Sequence, residues 1–202
     1  DLRDQNLTVI KITESDDSWL GKLQDIDVVI SCLASRSGEP KDAHNVDFKL
    51  NELILEKAKA IDCSQFILLS AICVQKPKLA FQFEKLAFEQ ILINSGLNFS
   101  IIRPTAYFKS LSGQIENIKK GKPYVYFGDG KLTQCNPISE KDLSLFILSC
   151  IRDRNKWKKI LPIGGPNQSL TPKNVGEMLF KIFEVTPKYR SFPTKILDVI
   201  GL

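Results

Sequence analysis

Short, nearly unbroken apolar runs alternate along this chain with longer segments whose apolar residues recur every three or four positions. Asp27-Val-Val-Ile-Ser-Cys-Leu33, Gln65-Phe-Ile-Leu-Leu-Ser70 and Asn98-Phe-Ser-Ile-Ile-Arg103 are the runs, and they predict parallel strands covered on both faces. Between them Val46, Leu50, Leu53, Ile54, Ala58 and Ile61 mark one helix face, and Phe83, Leu86, Ala87, Gln90 and Ile91 mark another that stops before Gly96. This alternation predicts a doubly wound α/β sheet. Farther on, Ser139 with Asp142 caps a helix to about Ile151, and Thr171-Pro172 caps one carrying Val175, Leu179, Ile182 and Phe183. Ile160 to Ile163 reads as a short strand between them, and Pro104 closes the third long run by removing a ladder donor.

A doubly wound dinucleotide-binding sheet has the order 3-2-1-4-5-6, and its first strand-to-helix turn carries a glycine fingerprint for the pyrophosphate. No glycine precedes Gly21, so Leu7 to Ile12 and Ser15 to Leu23 read as strand three and its helix, feeding strand four at Asp27. The expectation is a sheet incomplete at both ends: the interior of a longer protein, with two strands upstream and a truncation within the apolar stretch from Ile196 to Leu202.

The composition changes this picture little. With 202 residues, 43% hydrophobic and 25% charged, the chain suits one ordinary soluble domain with a real core. The net charge of +5 comes from 28 basic and 23 acidic residues scattered throughout. Such a field favours an anionic dinucleotide or a carboxylate-bearing substrate and lacks the basic patch of a nucleic-acid binder. Five cysteines without CxxC spacing suggest neither a disulfide framework nor a zinc site, and point to a reducing compartment. No apolar run approaches the roughly 20 residues of a membrane span, and targeting signals are unreadable because the chain opens at Asp1 with no Met and no apolar or Arg-rich stretch, as expected of an internal start. His44, the lone histidine, has no candidate metal partner and is assigned no function.

Four segments carry a resemblance: Val29-Ile-Ser-Cys-Leu-Ala-Ser-Arg36, Leu68-Leu-Ser-Ala-Ile-Cys-Val-Gln-Lys-Pro77, Arg103-Pro-Thr-Ala-Tyr-Phe-Lys-Ser-Leu-Ser-Gly-Gln114 and Leu161-Pro-Ile-Gly-Gly-Pro166. From about Asp25 to Leu202 the chain resembles the NADPH-dependent divinyl chlorophyllide a 8-vinyl reductases, atypical short-chain dehydrogenase/reductases. Arg-Pro after a strand is widespread in that superfamily, whereas the second and third segments are far more particular. Tyr107 and Ser112 stand where Phe and Gly are the pattern. The resemblance implies a partial Rossmann-like domain over 1–202 with smaller substrate-side elements over about 104–202, NADPH as cofactor and divinyl chlorophyllide a as substrate. It further implies a chloroplast location in an alga or plant, or the cytoplasm of a photosynthetic bacterium; peripheral membrane contact is compatible with it, and the oligomeric state stays open.

Ligands of open α/β sheets bind beyond the carboxyl ends of the strands. That puts Cys32, Leu33, Ala34 and Ser35 against the dinucleotide, with plain core packing an equal alternative at Cys32 and Leu33. By resemblance, Ser70 stands at the superfamily's catalytic serine and Phe81-Gln-Phe-Glu-Lys85 at its Tyr-x-x-x-Lys pair. Lys85 then faces a cofactor ribose, while Phe81 offers only an apolar ring to the substrate from the same helix face. The bland alternatives are a solvated lysine and a turn-capping serine. A ketone reductase needs an acid beside its developing alkoxide; vinyl reduction makes no alkoxide and tolerates Phe81. Pro104, Thr105, Ala106 and Tyr107 lie where the superfamily meets the nicotinamide. Phe108, Leu111, Tyr124, Tyr126 and Phe127 are candidate walls for a tetrapyrrole, with Gly128-Asp-Gly130 turning a hairpin, although core packing is the commoner role of such aromatics. Lys109 or Arg36 pairing with a substrate carboxylate competes with ordinary surface charge. Phe81 also fits two other classes, a non-catalytic sensor of the negative-transcriptional-regulator type and a structural subunit stabilised by NADPH; the Arg103 to Gln114 segment favours the reductase.

Overall fold

The computed structural model describes residues 8–11, 18–166 and 168–196. In chain order the main elements are β1 (Val28–Ser31), α1 (Pro40–Ala43), a π-helical segment (His44–Lys49), α2 (Leu50–Ala60), β2 (Gln65–Leu69), α3 (Ala80–Ile93), β3 (Asn98–Pro104), α4 (Ile115–Lys119), β4 (Tyr124–Phe127), α5 (Glu140–Arg152), β5 (Lys159–Ile163), α6 (Pro172–Ile182) and β6 (Tyr189–Phe192). The expected strand over Leu7 to Ile12 lies partly outside the described residues, and 8–11 have no regular structure. Within the expected helix from Ser15 to Leu23, the described part holds a 3-10 turn, Ser18–Lys22.

Two compact units divide the chain, Asp1–Ile102 with Cys150–Leu161 and Arg103–Ser149 with Pro162–Leu202. In the first, a four-stranded sheet has the order β1-β2-β3-β5. β1 pairs with β2 and β2 with β3, both parallel, in the registers Val28↔Gln65 and Gln65↔Asn98. These are the apolar runs, in the predicted relative order. Phe66, Leu68, Phe99 and Ile101 point from alternate strand positions onto Leu55 and Ala58 of α2 and Phe88 and Leu92 of α3, forming the core. Phe66 and Phe88 pack with ring centroids 5.9 Å apart.

Both helices are rotated from the expected faces. The residues buried along α1, the π segment and α2 are Ala43, Asp47, Asn51, Leu55 and Ala58, and Leu53 is exposed; on α3 they are Gln82, Lys85, Phe88, Glu89 and Leu92, and Phe83 is exposed. Each buried line mixes polar with apolar residues. A count of apolar residues alone therefore selects a neighbouring line. The π segment is closed by the Leu50 N–H donating to Asn45 O, and the Asn51 amide donates to Asp47 O at 3.0 Å and Val46 O at 3.3 Å.

In the second unit β4 and β6 form a two-stranded parallel sheet, Tyr124↔Tyr189 to Phe127↔Phe192. This corrects the hairpin expectation. Gly128 and Gly130 do turn the chain, at φ +60° and +74°, but β4 takes its partner from far downstream. Gln114 completes the edge of β4: its amide donates to Val125 O at 2.7 Å and accepts the Val125 N–H at 2.6 Å. Tyr124 is buried with Ile118, Val175 and Phe180, against Gly176, where a Cβ would stand 2.8 Å from the Tyr124 ring. Ser139 and Thr171 cap α5 and α6 as predicted, accepting from the Asp142 and Asn174 N–H groups at 3.0 and 3.2 Å.

The Gly164-Gly165 pair belongs to a close backbone approach: the Gly165 N–H donates to Asn136 O at 3.0 Å, and a Cβ there would stand 2.2 Å from Pro137 O. Gly165→Ala must push two backbones apart, and it is expected to destabilise the protein by about 1–3 kcal/mol, read as a lower urea midpoint; an unchanged midpoint would contradict this packing.

Candidate functional site

Beyond the carboxyl end of β1 the chain runs through Cys32 and Ala34, both exposed, with Leu33 and Ser35 half-buried. Lys85 reaches this edge from α3. Its ammonium donates to Leu33 O at 2.9 Å and lies 2.9 Å from Asp47 Oδ1, in an ion pair that leaves 7% of the lysine side chain and none of the aspartate exposed. Asp47 Oδ2 accepts the Ser35 N–H at 3.3 Å. Lys85 is thus a buried, paired cation rather than a solvated one. Partial desolvation raises the Cys32 thiol pKa even though the residue stays exposed, and the positive charge of Lys85 opposes that rise.

Ser70 follows β2 but does not point into open space. Its hydroxyl donates at 2.5 Å to Glu89 Oε1, and both residues are buried. Phe81 is half-buried at the start of α3, one turn before Lys85, where Gln82 caps the helix by accepting the Lys78 and Leu79 N–H groups at 2.6 and 3.0 Å. The first unit therefore brings Leu33, Ser35 and Lys85 together and adds three residues that the sequence reasoning missed: Asp47, Asn51 and Ser31, whose hydroxyl donates to Asn51 Oδ1 at 2.5 Å. A signal existed. Asp47 and Asn51 sit four apart on the line of Ala43, Leu55 and Ala58, polar residues where a core face is due.

In the second unit Pro104 is the buried end of β3. Thr105 donates its hydroxyl to Asn136 O and its N–H to Ile163 O at 2.9 Å, and Ala106 O accepts the Ile138 N–H at 3.0 Å. Tyr107 makes an isolated parallel bridge with Ile138. Phe108 is 48% exposed and opens two adjoining apolar hollows. One, of about 270 Å³, runs between Leu111, Ile115, Val175 and Ile182; the other, of about 250 Å³, adds Asn136 and Gln168. Phe108, Leu170 and Met178 line both. Tyr124, in contrast, packs in the core. Among the described residues no helix is long and apolar enough to cross a membrane, and no three His, Cys, Asp or Glu side chains gather as metal ligands.

Residues 1–154 match the family described as NAD(P)H-binding. The chain is 52% identical over 184 residues to the chloroplastic divinyl chlorophyllide a 8-vinyl-reductase of Arabidopsis thaliana, covering 88% of this chain and 44% of that one. It is 51% identical over 178 residues to the protein of the same name from Cucumis sativus, covering 86% and 42%. The chain thus spans less than half the length of these relatives. Among solved structures, a UDP-N-acetylglucosamine 4-epimerase from Methanobrevibacter ruminantium superposes with a TM-score of 0.81 at 17% identity, covering 94% of this chain and 71% of that one. An NADPH-dependent quinone oxidoreductase from Escherichia coli, complexed with NADPH, does so at 0.74 and 18% identity, covering 98% and 68%. At such identities these likenesses establish the fold: a Rossmann-like parallel sheet with helices.

Proposed function

The chain belongs to the NAD(P)H-binding family, and from that premise we propose that the complete protein uses NADPH to reduce the 8-vinyl group of a divinyl chlorophyllide to ethyl. What carries the reading is the identity of about half of all aligned residues with plant proteins named for that reaction. The residues at the carboxyl edge of β1 suit a dinucleotide: Cys32 and Ala34 are exposed and a buried cation stands beside Leu33. NADPH, when bound, supplies a hydride. Lys85 would hold ribose hydroxyls through its ammonium, and the Leu33 to Ser35 backbone would bound the dinucleotide. Thr105, Ala106 and Tyr107 would border the nicotinamide, while Phe81 and the hollows at Phe108 would present apolar surface to a flat pigment. One vinyl carbon gains the hydride and the other a proton, so –CH=CH₂ becomes –CH₂CH₃ as NADPH becomes NADP⁺. Phe81 carries no hydroxyl, and the proton comes from solvent or another donor. Ser70, turned to Glu89, would steady α3 rather than transfer a proton. A chloroplast is the natural location for this chemistry in a plant or alga.

The test is the complete protein with NADPH and divinyl chlorophyllide a, followed by loss of the nicotinamide absorbance and a two-hydrogen mass gain in the pigment. NADPH binding without turnover would favour a sensor instead. In the same assay Phe81→Tyr is expected to keep turnover within about tenfold of the parent, because no oxyanion needs an acid; a gain of the 100-fold size typical of general-acid catalysis would refute that account.

A further inference from the structure

The buried line leading into α2 carries a charge with no role in the reaction as written. Asp47 is wholly enclosed, where an apolar residue would fill the same space without the cost of desolvating a carboxylate. We propose that Asp47 is a positioning residue which fixes the Lys85 ammonium and the Leu33 to Ser35 backbone as one piece before a dinucleotide arrives; this rests on the NADPH reading of that edge. The contacts form a closed circuit. Asp47 Oδ1 lies 2.9 Å from Lys85 Nζ, Lys85 Nζ donates to Leu33 O at 2.9 Å, and the Ser35 N–H returns to Asp47 Oδ2 at 3.3 Å. The backbone that carries Asp47 is itself held from behind. Asn51 donates to Asp47 O at 3.0 Å and accepts the Ser31 hydroxyl at 2.5 Å, which ties the π-helical turn to the last residue of β1.

A lysine has four rotatable side-chain bonds, and ordering them on binding would cost affinity. Asp47 does that ordering in advance. A buried ion pair adds little stability over apolar residues of the same volume, so its retention is better explained by the specific placement it enforces.

Asp47→Asn, Lys85→Met and the double variant, made in the complete protein, test this through the NADPH dissociation constant measured without pigment. Asp47→Asn is expected to weaken NADPH binding about tenfold, and the double variant is expected to bind within about twofold of Lys85→Met, since one residue acts through the other. Affinity in Asp47→Asn within twofold of the parent, or losses that multiply in the double variant, would overturn the proposal. If the lone ammonium prevents Asp47→Asn from folding, the double variant, which buries no lone charge, is compared with Lys85→Met by the same criterion. A parent protein that binds no NADPH would overturn the cofactor reading itself, whereas tight parental binding with multiplying losses would remove only Asp47.

Discussion

Lys85→Ala is expected to lower NADPH-dependent turnover of the complete protein on the order of 100-fold in kcat/KM, the scale of removing one preorganised charged donor from a reaction site. The expectation has two sources. The structure brings the ammonium to Leu33 O, and its pairing with Asp47 keeps it there with almost no exposed surface. Truncation removes the charge and also leaves a buried Asp47 carboxylate that accepts the Ser35 N–H without its counter-charge. Losing one member of a buried pair destabilises by about 3–5 kcal/mol, so the assay belongs well below the melting transition, with the folded fraction counted by circular dichroism. Near-normal kcat/KM per folded molecule would remove Lys85 from the site.

Phe88→Ala should lower folding stability by about 3–5 kcal/mol, the range for removing a fully buried aromatic side chain without collapse of the space it leaves. Phe88 has no exposed surface, and it joins α3 to the sheet through Phe66. It lies on the line of α3 that carries Lys85, three residues earlier, so the core anchors the helix that presents the cation. Urea unfolding measures the loss directly. A change below about 1 kcal/mol would mean that α3 does not pack on the sheet as described. At low temperature the folded fraction of Phe88→Ala should still bind NADPH, which separates the core from the site.

The two unexpected helix faces have a common cause. Hydrophobic periodicity weighs apolar residues only, and both helices bury polar side chains along their inner lines: Asp47 and Asn51 leading into α2, Gln82, Lys85 and Glu89 on α3. Lys85 and Glu89 are stable inside because partners distant in sequence meet them, Lys85 meeting Leu33 across 52 residues and Ser70 meeting Glu89 across 19. The apparent faces, Val46 with Leu50 and Phe83 with Leu86, are the shoulders of the true ones. The hairpin at Gly128 failed for a related reason. Glycines set the local turn, but the partner of β4 is chosen by the core of Ile118, Tyr124, Val175 and Phe180, which draws β6 alongside it.

By itself the sequence determined what depends on neighbours along the chain: three parallel strands from continuous apolar runs, their relative order, the Ser139 and Thr171 helix caps, and the Arg-Pro strand exit. The resemblance to a Tyr-x-x-x-Lys pattern pointed to Lys85 and Phe81 as site candidates. Only the tertiary structure decided which helix face is buried, that Lys85 is held by Asp47, that the Ser70 hydroxyl is occupied by Glu89 and that Tyr124 is core. The division is physical. Strand runs and caps are set by local sterics and hydrogen bonds, whereas a buried charge is settled by whichever counter-charge the fold carries to it.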